Sequence, residues 1–211
     1  MQVTTQDQEV ILDQVKSFVT VAHGDQVRKY SGEAYVYHLF RVMNTCYLYH
    51  NSLPVLAAAL LHDVLEDTAT TENELREFLH KTMPHPEDAA EALKLVVELT
   101  DVYTQEAYPQ LNRQARKEKE HKRLATISHD AQTIKYADVL DNAQNVADND
   151  PQFAPVLLRE YASLLERIPD GEPHLYKKVK ENVAACLEKS TVQPPSLETN
   201  SGGRSGPQST D

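Results

Sequence analysis

The chain has little cysteine, no long apolar run and no surplus of basic charge, and each shortage removes a class of protein. Only two cysteines occur in 211 residues, Cys46 and Cys186. They lie far apart and form no CxxC pair, so reduced thiols of a cytoplasmic protein are the simplest expectation. No apolar stretch approaches the roughly 18 residues of a membrane-spanning helix. The opening segment MQVTTQDQEVILDQ has no basic stretch followed by an apolar core, so no signal peptide is expected either. With 32 acidic against 21 basic residues, the formal net charge is −11. A nucleic-acid binder needs the opposite balance to neutralise phosphates, so neither nucleic acid nor membrane is an expected partner. Strand-like alternation and internal repeats are also missing.

What is present is helix. Hydrophobic residues make up 40% of the chain, enough for one core in a single domain over residues 1–189. Apolar spacing predicts a helix from about Thr5 to Ala22, stopped at Gly24, and a second from about Tyr35 to His50. The segment between them reads as loop. A third helix opens at Ser52 or Leu53, with Pro54 in its first turn. Thr71-Glu72-Asn73-Glu74 is a capping box for a fourth. Further helices are predicted over about Ala89–Leu99, Asn112–Ile127 and Asp130–Ala147. Another is opened by Pro151 and reaches Ile168, and a last one ends near Lys189. The fold class is therefore all-α, with about nine helices. The stretch 190–211 is rich in Ser, Gly and Pro and reads as a disordered tail.

Within the third helix, AALLHDVLEDT sets His62, Asp63, Glu66 and Asp67 into otherwise apolar sequence. Charged groups are seldom buried unless paired or bound to metal. A plain amphipathic helix with an acidic outer face would account for a random His-Asp pair, but the flanking Ala and Leu run favours a metal. If His62 and Asp63 hold an ion, Glu66 and Asp67 lie one helical turn away. There they can take a proton from water or orient it. Two residues cannot complete a coordination shell. His38 in YVYHLFRVM and Asp138 in IKYADVLDN are polar residues on other apolar helices and supply the rest. Two His and two Asp form a mixed nitrogen and oxygen set suited to Mn²⁺, Fe²⁺, Zn²⁺ or Mg²⁺. Other histidines, such as His80, His85 and His174, fall at element ends and read as surface residues.

The order His…His-Asp…Asp across three helices resembles the HD superfamily of metal-dependent phosphohydrolases. AHGDQVRKYSGEAYVYH, ALLHDVLEDT and IKYADVLDN together resemble the RelA/SpoT-type hydrolase domain and the small alarmone hydrolases, over roughly residues 8–168. The resemblance implies an HD-domain helical bundle and an enzyme. It implies His38, His62, Asp63 and Asp138 as ligands to Mn²⁺, with Glu66 and Asp67 as catalytic residues. It also implies that Arg28, Lys29 and Ser31 hold a guanine nucleotide, with Asn142 facing it. The implied reaction removes pyrophosphate from the 3′ position of guanosine tetra- or pentaphosphate (ppGpp or pppGpp), as in the stringent response. The chain departs from that pattern at Leu39, where Pro is usual, and at Val139 and Asp141, where Arg and His are common. These departures keep other nucleotide or phosphoester substrates in view, as well as a nucleotide-binding protein without turnover.

The segment NRQARKEKEHKRL places six basic residues in an acidic chain. It reads either as a solvated helix laced with Glu118 and Glu120 or as a basic rim that attracts a polyphosphate. Arg116 and Lys122 are the substrate-binding candidates there. The expected partner is a small nucleotide, and a homo-oligomer remains open.

Overall fold

The computed structural model describes residues 5–192. Its helices are α1 (Thr5–His23), α2 (Val36–Tyr47), α3 (Leu53–Leu61), α4 (Val64–Asp67) and α5 (Glu72–Thr82), followed by α6 (Pro86–Leu99), α7 (Arg113–Leu124), α8 (His129–Asn149), α9 (Ala154–Leu165) and α10 (Pro173–Val192). Among the described residues the only extended pairing is an isolated bridge between Val27 and Ala34. The expected third helix is divided at His62–Asp63 into α3 and α4, which separates the nine expected helices into ten segments.

The apolar sequence LPVLAAALL explains the centre of the molecule. All nine residues of α3 are buried, as expected of a helix that is hydrophobic all round. Helices α1, α2, α6 and α8 pack around it. The three consecutive alanines Ala57, Ala58 and Ala59 are fully buried and add little side-chain bulk to these contacts. Helix α8 is the second axis, touching α2, α3 and α6 on one side and α9 and α10 on the other.

Local signals set most of the boundaries. Gly24 adopts φ 51°, the left-handed conformation that ends α1 without a Cβ penalty. Thr71 and Glu74 form the full reciprocal capping box: the Thr71 hydroxyl accepts from the Glu74 amide at 3.3 Å, and the Glu74 carboxylate accepts from the Thr71 amide at 2.8 Å. Pro86 begins α6 three residues ahead of the expected start at Ala89, because a missing N–H costs nothing in a first turn. Pro151 likewise lies in the turn ahead of α9, and Pro155 occupies that helix's first turn. Helix α10 continues to Val192, past the expected end at Lys189. The remainder of the expected tail, from residue 193, lies outside the described residues. Among the described residues, no helix is long and apolar enough to cross a membrane. Cys46 and Cys186 are both free and buried.

Candidate metal centre and adjoining cavity

Polar groups from three helices meet at one buried point. His38 stands on the inward face of α2 with Leu39 and Val42, and Asp138 on the inward face of α8 with Ala131 and Ile134. His62 caps the C-terminus of α3. One donor atom from each of the three lies within 4.8 Å of the others, and all three residues are buried. Asp138 Oδ1 is 3.3 Å from His38 Nε2 and 3.7 Å from His62 Nε2. Asp63 joins them with Oδ2 2.9 Å from His62 Nε2 and 3.7 Å from His38 Nε2. The Tyr35 hydroxyl donates to that same Asp63 oxygen at 2.7 Å. Asp63 has φ −101° and ψ −2°, the sparsely populated bridge region in which active-site residues recur.

Both imidazoles turn Nε2 towards the centre. His62 Nδ1 lies 2.9 Å from the Ala59 carbonyl, which can only accept, so that nitrogen carries a proton. His38 Nδ1 lies 2.7 Å from Asp141 Oδ2 and is held in the same way. His62 Nε2 is buried and makes no hydrogen bond, although Asp63 Oδ2 lies 2.9 Å away. An orphaned imidazole nitrogen among carboxylates is what a divalent cation would satisfy, and the N/O donor set suits such an ion.

Protonation shows the same excess of negative charge. Burial lowers the pKa of His38, but hydrogen bonds to Asp138, Asp141 and Asp63 outweigh it and raise the group to about 9. Burial is likewise outweighed at His62, which Asp63 and Asp138 raise to about 10. Burial opposes ionisation of the two central carboxyls. The His62 and His38 imidazoles nevertheless keep Asp63 well below the carboxylate range, and Lys135 with the same imidazoles does so for Asp138.

Glu66 and Asp67 follow on α4, the short helix after the bend. Glu66 Oε2 accepts from the Asp101 amide at 3.1 Å, and Asp67 Oδ2 accepts from Gln26 at 3.3 Å. Desolvation in the cavity and the carboxylates of Asp101 and Asp63 push Glu66 up to about 7, although its side chain still meets solvent. Asp67 is raised by desolvation and by Asp63.

These groups open into a cavity of about 230 Å³. Asp63, Glu66, Asp67 and Asp138 line its acidic side together with Asp101, Glu120 and Glu160, and Arg113, Lys117 and Lys135 bring positive charge to the same wall. Lys135 Nζ is 2.8 Å from Asp138 Oδ2, and Lys117 Nζ donates to Asp101 at 3.1 Å. Arg113 makes a two-pronged pair with Glu160 at 2.9 and 2.6 Å. Asn142 also lines the cavity and donates to Asp138 Oδ1 at 2.5 Å.

The other substrate-binding candidates are elsewhere. Arg28 is only 4% exposed and is bound to Asp141 and Asn142. Lys29 lies over the rings of Tyr30 and Phe153 at 5.4 and 5.7 Å. The Ser31 hydroxyl accepts from the Glu33 amide at 3.4 Å. None of these three lines the cavity. On α7, Arg116 donates to the Leu111 carbonyl and to Gln105, and Lys122 is 69% exposed beside Glu118. Arg113 and Lys117 occupy the cavity wall instead. Tyr35, Asp101 and Lys135 also belong to the site, and the sequence reading missed them. Lys135 had a signal, since it stands three residues before Asp138 and on the same helix face. Tyr35 and Asp101 gave none, because both reach the site through loop geometry.

Comparison with known families matches residues 35–143 to the HD domain. That segment contains His38, His62, Asp63 and Asp138. A solved structure of a metazoan ortholog of SpoT, described as hydrolysing ppGpp and playing a role in starvation responses, superposes with a TM-score of 0.70 at 24% identity. The alignment covers 83% of this chain and 94% of that one. At that identity the likeness is one of fold. No curated protein is a significant match to the chain. The matched segment spans more than half of the chain and contains the whole constellation: the protein belongs to the HD domain family.

Proposed function

We propose that the protein is a Mn²⁺-dependent phosphohydrolase that removes the 3′-pyrophosphate of guanosine tetra- or pentaphosphate, leaving GDP or GTP. The observation that carries this reading is one cavity whose wall holds Asp138, the cavity-facing member of the buried His-His-Asp donor set, together with Asp63, Glu66 and Asp67 and the cations Lys135, Lys117 and Arg113. His38, His62, Asp63 and Asp138 would hold the ion. A divalent cation there supplies Lewis-acid polarisation of a phosphoryl oxygen and makes nearby water more acidic.

The chain's own residues do the rest. Glu66, with a pKa raised to about 7, takes the proton of the attacking water, since a base works best when its pKa lies near the working pH. Asp67, on the same short helix, orients that water. The water oxygen bonds to the phosphorus carried on the 3′ oxygen, the bond from that phosphorus to the 3′ oxygen breaks, pyrophosphate departs, and the 3′ oxygen takes up a proton from Glu66 or solvent to become a hydroxyl. Lys135, Lys117 and Arg113 offset the charge of the pyrophosphate group. The cavity of about 230 Å³ is smaller than the roughly 300–1,000 Å³ usual for ligand pockets, so it suits the phosphate end of a nucleotide.

The test is incubation of the purified protein with ppGpp and Mn²⁺, following pyrophosphate release. Absence of release from folded protein with any divalent metal would overturn the reading. A second reading, hydrolysis of another nucleotide or phosphoester, is favoured by the engagement of Arg28 with Asp141 and Asn142, which leaves the guanine-binding arginine of the resemblance buried. A panel of dNTPs, nucleoside monophosphates and NADPH separates the two.

A further inference from the structure

Behind the metal centre, the buried Arg28 and the half-buried Asp141 form a pair that the proposed reaction does not use. Arg28 is 4% exposed and Asp141 14% exposed, and neither lines the cavity. The guanidinium divides between two targets on α8. Nη1 bonds to Asp141 Oδ2, and Nη2 donates to Asn142 Oδ1 at 2.6 Å. Each target then acts on a different member of the centre. Asp141 Oδ2 accepts from His38 Nδ1 at 2.7 Å, and Asn142 Nδ2 donates to Asp138 Oδ1 at 2.5 Å.

We infer that Arg28 and Asp141 are positioning residues of the metal centre. One buried fork fixes the His38 ring and the Asp138 carboxylate together. The chemistry of the groups favours this. A carboxylate on Nδ1 fixes the imidazole tautomer, leaves Nε2 as the donor and raises its basicity. Asn142 Nδ2 can donate to Asp138 only if its oxygen faces the other way, and Arg28 selects that orientation by binding Oδ1. A guanidinium is suited to the task because its planar donors address two acceptors at fixed spacing, which an ammonium cannot do. The tight turn that presents Arg28 is built for it: Arg28 N donates to the Glu33 carbonyl at 2.7 Å, and Gly32 at φ 71° donates back to the Arg28 carbonyl at 2.9 Å. Arg41 braces the outer side of Asp141 at 2.5 Å, but its side chain is 42% exposed.

The inference rests on the centre binding a divalent ion, and it is independent of which phosphoester is cut. The test is Mn²⁺ titration of the native protein, Arg28→Met, Asp141→Asn and the double variant, read by electron paramagnetic resonance and calorimetry. Each single change lowers Mn²⁺ affinity by about 10- to 100-fold, the usual effect of removing an outer partner of a metal ligand. The double change falls well short of the product of the two, because both act through one unit. Asp141→Glu recovers part of the loss. Arg41→Met stays within about fivefold, as expected of an exposed ion pair. Nitrogen NMR of the native Zn²⁺-loaded protein needs no variant: His38 should keep its proton on Nδ1. Unchanged Mn²⁺ affinity in both variants, with only the KM for nucleotide raised, would overturn the inference and make Arg28 a substrate contact. Zinc bound through His38 Nδ1 would overturn it as well. Failure to hydrolyse ppGpp would leave all of these metal-binding outcomes standing.

Discussion

Replacing Glu66 by Gln isolates the proposed proton transfer from everything else the residue does. Gln keeps the size of the side chain, and its amide oxygen can still accept from the Asp101 amide now 3.1 Å from Oε2. What is lost is a base poised at about 7 among the Asp101 and Asp63 carboxylates. General-base catalysis contributes about 10²- to 10⁴-fold, so kcat should fall by that factor, or about 2.7–5.4 kcal/mol of activation free energy. Mn²⁺ affinity and the KM for nucleotide should change little, because the proposed donor set, His38, His62, Asp63 and Asp138, does not include Glu66. The stability sign follows from the direction of the shift. A carboxyl whose folded pKa lies above its ordinary 4.5 is a liability once ionised, so native stability declines as pH rises through about 7. The Gln variant loses that decline and should melt no lower than the native protein at pH 8. Single-turnover kinetics, Mn²⁺ titration and thermal melts at pH 5 and 8 read all three effects. A variant that keeps more than about a tenth of native kcat would refute the proton-accepting role. Parallel loss of metal binding and turnover would make Glu66 structural.

Three further outcomes are expected. His38 and His62 carry raised pKa values of about 9 and 10 without an ion, so binding must expel their protons. Mn²⁺ affinity should climb steeply with pH up to that range; calorimetry in buffers of different ionisation enthalpy counts the protons, and release of none would contradict the assignment. By the same linkage, the stability these two groups give the metal-free protein is full below their ordinary 6.5 and lost as pH passes about 9 to 10, which melts at pH 6 and 10 will show. Lys117→Met should raise the KM for the polyphosphate about tenfold, on the order of one charge-assisted hydrogen bond, while Lys122→Met, at 69% exposure outside the cavity, should leave it unchanged. Gly171→Ala places a Cβ 2.5 Å from Tyr136 Cε2 and 2.9 Å from the Thr133 amide, neither able to swing clear. It should cost about 1–3 kcal/mol and lower Tm by roughly 2–4 °C per kcal/mol, with kcat unaffected.

Much of the fold was legible because its signals are local. The all-apolar run before His62 could only be a central helix, and the Thr71–Glu74 box and Gly24 mark ends by chemistry confined to a few residues. The bend at Asp63 was not legible, since its backbone departs from a regular helix without a proline or glycine to announce it. The basic helix shows the limit most clearly. Arg113, Arg116, Lys117 and Lys122 look alike in sequence, but their 3.6-residue spacing turns only Arg113 and Lys117 to the cavity.

The sequence by itself determined the chemistry on offer: two imidazoles and two carboxylates in apolar helices, with a second acidic pair one turn beyond. Burying such groups costs too much unless they meet, and so their convergence could be read from composition and spacing. Which partners surround them was decided only by the tertiary structure. Arg28 stands 113 residues from Asp141, and Lys117 stands 16 from Asp101. No local rule relates positions so far apart. The packing of the chain set Arg28 behind the centre, against Asp141 and Asn142, at a position where the family resemblance implies a nucleotide contact.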